Sequence, residues 1–595
     1  MQKTICHGVV TLEHGPFSAK ETVLVCVKGC TTAEGKQATL RSAALVQRVA
    51  RGAIFGYDVE VFDGLDRHLR HRQRLETQGT LRERYGVSMS TGEISILQHR
   101  FLEHFESLHR CRTPALRAAL AADGGYPLHI DATGEDGRGT LLAAYSGWRG
   151  WVFGAWKLAT ERSDLILPRL HEVVEDFGLP CGIVRDLGKA VIAACEELAS
   201  DLKADFPILS CHRHLLADIG KDLLAKLHDK LRGLFRQSSI RPELRALCRD
   251  LGRRVGEELP VLRDSVCTWA EAPGGHRLPA GNTGLAVVRA LAQWALDYAQ
   301  DGHRGDFPFE QPYLDLYLRC RKLRRACDAY LRSSPESMPV RQTLGRLARI
   351  LEPVVAERVF EVAATKLADR AALLDELRET LRITRDGRPM TSADIIPVQQ
   401  ATAELTDIQS SIEALSQSLR NRRPQRGPAE DTREAIDLVL EHLDRHGDSL
   451  WGHVVLLPAE LGGGVRIIPR TNNVEESFWH RMKHDQRRRS GRKILTRDFE
   501  ALPAAAALVY NLNCPDYVEL LCGSIKRLPS AFAQLDQRRR AVSTPTSAGS
   551  RQQPELALAS VSRDDLPVVR SPSLGKEIEA AARSRPPRFV VAQPD

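Results

Sequence analysis

The sequence lacks several features that would assign it to a specialised class of protein. Only 13 of its 595 residues are cysteine, and their irregular spacing argues against a disulfide-stapled secreted protein. The first residues, MQKTICHGVVTLEHG, lack the apolar core of a signal peptide. No uncharged apolar run approaches the roughly 18 residues that a membrane span needs. We therefore expect a cytoplasmic protein without a membrane partner.

A large excess of one charge is also missing. The chain has 84 Lys and Arg against 76 Asp and Glu, and its net charge of +8 is weak evidence for a nucleic-acid partner. Hydrophobic residues make up 43% and charged residues 27%, which excludes a wholly disordered or fibrous protein. The length is sufficient for several modules and a large buried core.

Residues 1–60 suggest a small N-terminal module that contains three cysteines. Cys26 and Cys30 are separated by three residues, and Cys6 lies next to a histidine. Thiolate and imidazole ligands suit tetrahedral zinc, so these cysteines are candidate ligands of a structural Zn²⁺. The alternative is that they are ordinary cysteines of a protein interior.

Residues 61–120 contain the pattern of two helices joined by a short turn. A basic helical stretch ends at Gly86, a candidate C-cap, and Ser90 and Glu93 have the spacing of a capping box. The second helix carries an apolar face at helical spacing. We expect a helix-turn-helix DNA-binding region here, with an ordinary helical hairpin as the alternative.

Residues 121–224 change to short β-rich runs. Three meandering strands are followed by helix, strand, helix and strand, which is the element order of a ribonuclease-H-like α/β domain. In this prediction one strand ends at Asp131 and another at Asp186, and open α/β sheets keep their sites at such ends.

The remainder of the chain is predominantly helical in pattern. Residues 225–465 predict an all-helical insertion, with apolar and basic residues on opposite helix faces. Residues 466–535 predict the last part of the catalytic domain, which includes a helix with both acidic and basic residues. The Ser-, Pro- and Arg-rich stretch at 536–595 predicts a disordered tail.

Carboxylates in three of these segments form a candidate metal site: Asp131, Asp186, and the adjacent pair Glu475 and Glu476. Converging carboxylates repel one another unless a hard cation lies between them, and oxygen ligands suit Mg²⁺ or Mn²⁺. Two such ions can stabilise both the attacking and the leaving oxygen of a phosphodiester displacement. The alternative for each carboxylate alone is a solvated residue at a strand end.

Four blocks together resemble a known family. HIDATGE, IVRDLGKA, SCHRHLLADIGKDLL and RTNNVEESFWHRMKHDQRRRSGRK are similar to the catalytic blocks of bacterial insertion-sequence transposases of the DDE type. Cys211-x2-His214 resembles the signature of the Mutator- and hAT-like branch of that family. The resemblance spans residues 60–525 and implies a ribonuclease-H-like core that is interrupted by a large helical insertion.

The resemblance also implies roles for the carboxylates. Asp131 would be the first metal ligand and Asp186 the second. Counting back from Phe478 and from the Gly of the Gly-Arg-Lys motif gives Glu476 as the third ligand. Glu475 is the alternate, because neighbouring helical residues point about 100° apart and only one faces the metals easily.

Basic residues after this acidic pair are candidate contacts to DNA phosphates, with a solvated basic helix as the alternative. They are Arg481, Lys483, Arg487, Arg488, Arg489, Arg492 and Lys493. For Cys211 and His214 the resemblance implies a structural or DNA-positioning role rather than a metal site.

These features together predict a DNA transposase. We expect it to bind the terminal inverted repeats of an insertion sequence, cleave at their ends, and join the 3′-OH to target DNA. The expected cofactor is Mg²⁺ or Mn²⁺, with a structural Zn²⁺ at the N-terminus, and the expected partners are double-stranded DNA and further copies in a dimer or higher oligomer. Alternatives are a ribonuclease-H-like nuclease or resolvase, a domesticated transposase that only binds DNA, and a helical scaffold, which would leave the carboxylate blocks unexplained.

Overall fold

The structure is a computed structural model. It describes residues 2–31, 37, 39–135, 138–255, 262–272, 275, 277–278, 284–297, 307–333, 337–384 and 398–542. The predicted disordered tail at 536–595 lies outside the described residues except for 536–542, where the prediction was wrong because these residues continue a helix that begins at Leu528. No helix in the described ranges is long and apolar enough to cross a membrane.

The chain forms two compact units. One unit comprises Met1–Ile208, Val455–Gly464 and Asn472–Asp595, and the other comprises Leu209–Val454 and Val465–Thr471. The predicted start of the helical insertion, at residue 225, differs from this division. It falls inside a continuous helix that begins at His212, directly after a short strand.

The first unit contains strands, long helices and short helices. Its strands are β1 (Gln2–Thr11), β2 (Gly15–Val25), β3 (Thr39–Leu40), β4 (Pro127–Glu135), β5 (Arg138–Ser146), β6 (Val152–Lys157) and β7 (Gly182–Arg185). Its helices are α1 (Ala43–Arg48), α2 (Tyr57–His68), α3 (Arg74–Tyr85), α4 (Thr91–Ala122), α5 (Ser163–Phe177), α6 (Lys189–Leu202), α16 (Asn473–Ser490), α17 (Thr496–Ala501), α18 (Pro515–Cys522) and α19 (Leu528–Val542), with 3-10 turns at Ala504–Asn513 and Ile525–Arg527.

The central sheet of this unit is mixed, and β8 (Ile208–Ser210) completes it. The strand order is β6-β5-β4-β7-β8. β4 and β5 pair antiparallel, as do β5 and β6, whereas β4 and β7 run parallel. The sequence of strands and helices from β4 to β8 is therefore strand, strand, strand, helix, strand, helix, strand.

The core of the first unit lies around this sheet. The parallel strand β7 is buried along its whole length, as expected of a strand covered on both faces. Aromatic rings fill the space beside β6, where Phe153 stacks on Phe177 with 4.3 Å between ring centroids. The side chain of Asn511 accepts a hydrogen bond from the Val152 N–H at 2.7 Å and donates one to the Val152 carbonyl at 2.8 Å. These two bonds connect the 3-10 turn at Ala504–Asn513 to β6.

α4 connects the N-terminal helices to this core. Its capping box, Ser90 with Glu93, forms as the sequence predicts, and Gly86 ends α3 in the left-handed conformation with φ 63°. The apolar face of α4 belongs to the same core cluster as the sheet. At Gly64 the helix α2 approaches so closely that a Cβ there would lie 2.0 Å from the Phe101 ring. Two capped helices with a short connection are thus present, but the second one is built into the core.

The second unit is mainly helical. Its helices are α7 (His212–Gln237), α8 (Ile240–Val255), α9 (Leu262–Glu271), α10 (Gly284–Leu296), α11 (Pro312–Ser333), α12 (Met338–Ala356), α13 (Arg358–Thr380), α14 (Val398–Arg422) and α15 (Glu430–His446). A 3-10 turn at Gly447–Leu450 follows α15, and the short strand β10 (Val465–Ile467) also belongs to this unit. Most of β9 (Val454–Leu456) and the 3-10 turn at Ala459–Leu461 belong to the first unit. α7 packs along α13, where Phe235 meets Phe360 edge to face at 5.2 Å.

Candidate active site

Asp131 lies inside β4 and not at its end. β4 continues to Glu135 because its antiparallel pairing with β5 extends through Asp131↔Ala143 and Thr133↔Leu141. The expectation that the strand ends at Asp131 was therefore wrong. The parallel pairing of β4 with β7, however, stops at Ile130, one residue before the aspartate.

Asp186 follows β7 directly. The last paired residues of the β4–β7 ladder are Ile130 and Arg185, so Asp131 and Asp186 each occupy the next position on adjacent strands, which lie about 5 Å apart. The backbone N–H of Gly188 donates to Asp186 Oδ1 at 3.0 Å and orients this carboxylate. A Cβ at Gly188 would lie only 3.1 Å from the same oxygen, which favours glycine here.

The two adjacent glutamates occupy the first turn of α16, and their environments differ. Glu475 is 0% exposed, and neither of its carboxylate oxygens makes a well-formed hydrogen bond to a described residue. Burial raises the pKa of Glu475 well above its usual range, and the nearby charges of Asp131 and Asp186 raise it further. Glu476 is only partly buried.

Glu475 is thus the glutamate whose charge is coupled to both aspartates. Its position in the first turn of α16 is also favourable for an anion, because the helix dipole is positive at the N-terminus. In the described ranges, no three His, Cys, Asp or Glu side chains stand in a preassembled metal-binding arrangement. The structure brings the carboxylates into electrostatic contact without joining them at ligand distance.

Glu161 is a further carboxylate near this group. Glu161 is largely exposed, but its partial burial raises its pKa, and the charge of Asp186 adds to this effect. Glu161 lies between β6 and α5. No motif surrounds it, so only the three-dimensional arrangement could reveal it.

A buried pair, His129 and Asn472, joins β4 to the start of α16. The His129 ring is 0% exposed, and its Nδ1 lies 2.8 Å from Asn472 Oδ1. Burial lowers the pKa of His129 to about 4, so the ring is neutral at physiological pH. Sequence reasoning missed both residues, although His129 precedes Asp131 by two positions and Asn472 stands in the Thr-Asn-Asn motif.

The candidate DNA-contacting residues on and after α16 fall into two groups. Exposed members are Arg481, Arg487, Arg488, Arg492 and Lys493, and Lys483 is partly exposed. Arg489 differs, because only 9% of its side chain is exposed and it forms an ion pair with Asp498 at 3.6 Å. Burial lowers the pKa of Arg489, and the negative charge of Asp498 opposes this decrease.

The single acidic residue within this basic run faces inward. Asp485 accepts a hydrogen bond from the Tyr510 hydroxyl at 3.1 Å and lies 3.0 Å from His71 Nε2. Burial alone would raise the pKa of Asp485, but His71 and Tyr510 outweigh burial and lower it. Because Arg489 is withdrawn from solvent as well, the net charge that this basic run presents to solvent is unchanged, but the charged residues that reach solvent are all basic.

The candidate zinc ligands are not brought together. Cys26 and Cys30 are neighbours, and a hydrogen bond from the Cys30 thiol lowers the pKa of Cys26. Cys6 pairs across the β1–β2 ladder with Lys20, six residues before Cys26 and thus about 20 Å away along the strand. A zinc site that uses all three cysteines does not fit this register.

The Cys211-x2-His214 pair belongs to the second unit. Cys211 is buried and precedes the first residue of α7. His212 beside it is also buried and accepts from Arg470 Nη1 at 3.3 Å through Nδ1, while its Nε2 lies 3.1 Å from the Leu450 carbonyl. These contacts indicate a structural role for His212.

Comparisons with known proteins give little beyond this geometry. No protein-family model matches the chain, and no curated protein matches it significantly. One solved structure, the Drosophila P element transposase strand transfer complex, is similar over 81% of this chain and 92% of that one. The identity is 12% and the TM-score 0.30, so the likeness is too weak to add to what the site itself supports.

Proposed function

We propose that this chain is a DNA transposase whose cleavage and joining chemistry depends on Asp131, Asp186 and Glu475. The observation that carries the proposal is the environment of Glu475, which is fully buried and whose pKa is raised by burial and by both aspartates. Glu475 replaces Glu476 as the third carboxylate in this proposal. The partly exposed Glu476 lacks that environment.

The sheet supports a ribonuclease-H-like class for the first unit. Three antiparallel strands in the order β6-β5-β4, with β7 parallel to β4, are the arrangement expected of that class. The long helical segment lies in the chain between β8 and α16. This connectivity agrees with the insertion that the resemblance implies.

The chemistry of the carboxylates fits a hard divalent cation. The side chains of Asp131, Asp186 and Glu475 offer oxygen ligands only, which Mg²⁺ and Mn²⁺ prefer. Within the part of the chain that the structure describes, the two Glu475 oxygens make no well-formed hydrogen bond, although the backbone N–H of Asp131 lies close enough to oppose the rise in the pKa of Glu475. When bound, such ions would activate the attacking oxygen and stabilise the leaving oxygen of a phosphodiester displacement.

The protein residues contribute positioning and charge. The pairing register of β4 and β7 places Asp131 and Asp186 at equivalent positions on adjacent strands. Glu475 lies in the first turn of α16, at the positive end of the helix dipole. Burial of Glu475 limits access of water, which strengthens electrostatic interactions at the site. Exposed arginines farther along α16, such as Arg488, are suited to hold DNA phosphates.

The test is cleavage of a supercoiled plasmid that carries the DNA flanking the gene for this chain, with Mg²⁺ present. Asp131→Asn and Asp186→Asn should reduce end cleavage to background while leaving DNA binding in place. Asp164→Asn is the matched control, because this exposed aspartate forms an ion pair with Arg162 two residues before it and is not one of the proposed carboxylates, so the variant should cleave normally. End cleavage retained by either site variant would overturn the proposal.

The same experiment separates transposition from simple nuclease activity. A transposase should join the liberated 3′-OH to a second DNA, and it should do so as a dimer or higher oligomer because two ends must be handled together. Cleavage without joining would favour a ribonuclease-H-like nuclease or resolvase. DNA binding without cleavage in the wild type would favour a domesticated, DNA-binding protein.

A further inference from the structure

His129 and Asn472 form a buried hydrogen bond beside the proposed carboxylates. His129 lies on β4 two residues before Asp131, and Asn472 directly precedes α16, three residues before Glu475. Both side chains are 0% exposed, and 2.8 Å separates His129 Nδ1 from Asn472 Oδ1. The bond therefore joins the two elements that carry the first and third carboxylates.

The hydrogen-bond pattern fixes which atom donates. Asn472 Nδ2 donates to the Ile130 carbonyl at 3.4 Å, so the amide oxygen is the group that faces His129. An amide oxygen only accepts, so His129 Nδ1 must carry the proton. On its other side the ring abuts Gly147, where a Cβ would lie 2.3 Å from Nε2, and no side chain fits there without displacing the ring.

Asn472 also contributes its backbone to the helix. Its carbonyl accepts from the N–H of Glu476 at 2.8 Å and so closes the first turn, the turn that contains Glu475. Asn472 thus binds β4 through its side-chain amide, which contacts the His129 ring and the Ile130 carbonyl. It binds the first turn of α16 through its backbone carbonyl. A shift of Asn472 would move Glu475 relative to Asp131.

We propose that His129 and Asn472 are positioning residues that set Glu475 against Asp131 for cation binding. This inference rests on the proposed function, since it assumes that those carboxylates bind a cation. It assigns neither residue contact with the substrate. Residues that orient metal ligands in this way typically change metal affinity or activity about 10- to 100-fold when they are lost.

The test compares two variants of His129 in the full chain, with Mn²⁺ affinity measured by calorimetric titration without DNA. His129→Asn places an amide N–H₂ near the position of Nδ1 and keeps the donor to Asn472. His129→Gln resembles histidine more closely in size but places its N–H₂ near Nε2. Positioning predicts affinity within about threefold of wild type for His129→Asn and a loss of about tenfold or more for His129→Gln.

A packing role predicts the opposite order, because the larger glutamine fills the space better. The matched control is His109→Gln: His109 is also buried, its hydrogen bonds to described residues run to the Tyr517 hydroxyl and the Phe153 carbonyl, and neither partner is one of the proposed carboxylates. Its Mn²⁺ affinity should equal that of the wild type. If both His129 variants fail to fold, the Asn472→Ala variant serves as the test. Its Mn²⁺ affinity should be about tenfold lower than that of the wild type.

The outcomes separate this inference from the proposed function. Mn²⁺ affinity that is unchanged in His129→Gln and Asn472→Ala, or weaker in His129→Asn than in His129→Gln, would overturn the positioning role alone. Absence of Mn²⁺ binding by the wild type, or affinity unchanged by Asp131→Asn, would overturn the proposed function and the inference with it.

Discussion

The stability of the first unit should depend on pH through His104, a buried histidine on α4. Its Nε2 lies 3.2 Å from Asp536 Oδ1 on α19, and its Nδ1 contacts Glu60 on α2. Burial alone would lower the pKa of His104, but the hydrogen bonds and charges of Asp536 and Glu60 outweigh it and raise the pKa to about 9. The charged imidazolium therefore joins three helices.

The sign and size of the effect follow from this pKa. Because the pKa is about 6.5 in the unfolded chain and about 9 in the folded one, the contribution is complete below pH 6.5 and is lost as the pH rises through 9. The difference corresponds to about 3 kcal/mol, at about 1.4 kcal/mol per pH unit. For a unit of this size, that free energy should lower the melting temperature by on the order of 5 °C.

The assay is calorimetric melting of the full chain between pH 6.5 and 9.5, compared with the His104→Gln variant. The melting temperature of the wild type should fall as the pH rises across this range. The variant should melt at a lower temperature than the wild type at pH 6.5, but its melting temperature should depend much less on pH. His109→Gln, on the same helix, is the control, because burial lowers the pKa of His109 to about 4 and its charge does not change in this range. Equal slopes in wild type and His104→Gln would refute the reasoning.

Further predictions concern helix packing and the basic side of α16. Gly64→Ala should destabilise the first unit by about 1–3 kcal/mol in chemical denaturation, because the added Cβ would overlap the Phe101 ring; an unchanged midpoint would contradict the close helix crossing. Arg488→Ala should weaken DNA binding in a salt-dependent titration, since this residue is exposed. Arg489→Ala should instead reduce stability, because the buried Asp498 loses one of its two ion-pair partners and keeps Arg492 at 3.3 Å. A loss of stability in Arg488→Ala with weaker DNA binding in Arg489→Ala would refute this division.

Features with local causes could be predicted from the sequence. The Gly86 stop and the Ser90–Glu93 capping box depend on residues within one helical turn of each other, and both are present as predicted. The strand and helix order from β4 to β8 was also evident, because each element has its own hydrophobic period. The boundary of the helical insertion was not, because the predicted start at residue 225 falls inside the continuous helix α7, which begins at His212.

Features with long-range causes could not be predicted. β4 extends past Asp131 because of its pairing with β5, and this register depends on residues elsewhere in the chain. The choice between Glu475 and Glu476 depends on the rotation of α16 about its axis. Family spacing favoured Glu476, whereas rotation depends on packing and on contacts such as that between His129 and Asn472.

The basic run on α16 illustrates the same limit for charge. Counting residues treats Asp485 as a neutralising charge and Arg489 as a candidate DNA contact. In the folded unit, Asp485 faces His71 and Tyr510, and Arg489 pairs with Asp498. Which charges reach solvent depends on partners outside the run, and spacing along the helix does not reveal them.

The most direct test of the central claim compares Glu475→Gln with Glu476→Gln in plasmid end cleavage at saturating Mg²⁺. The two variants remove one carboxylate each from adjacent positions, so the overall charge of the chain is matched. We expect Glu475→Gln to abolish cleavage and Glu476→Gln to keep most of it, because Glu475 is fully buried with its pKa raised by both aspartates, whereas the side chain of Glu476 is partly exposed. Normal cleavage by Glu475→Gln, with the loss confined to Glu476→Gln, would contradict the proposed site.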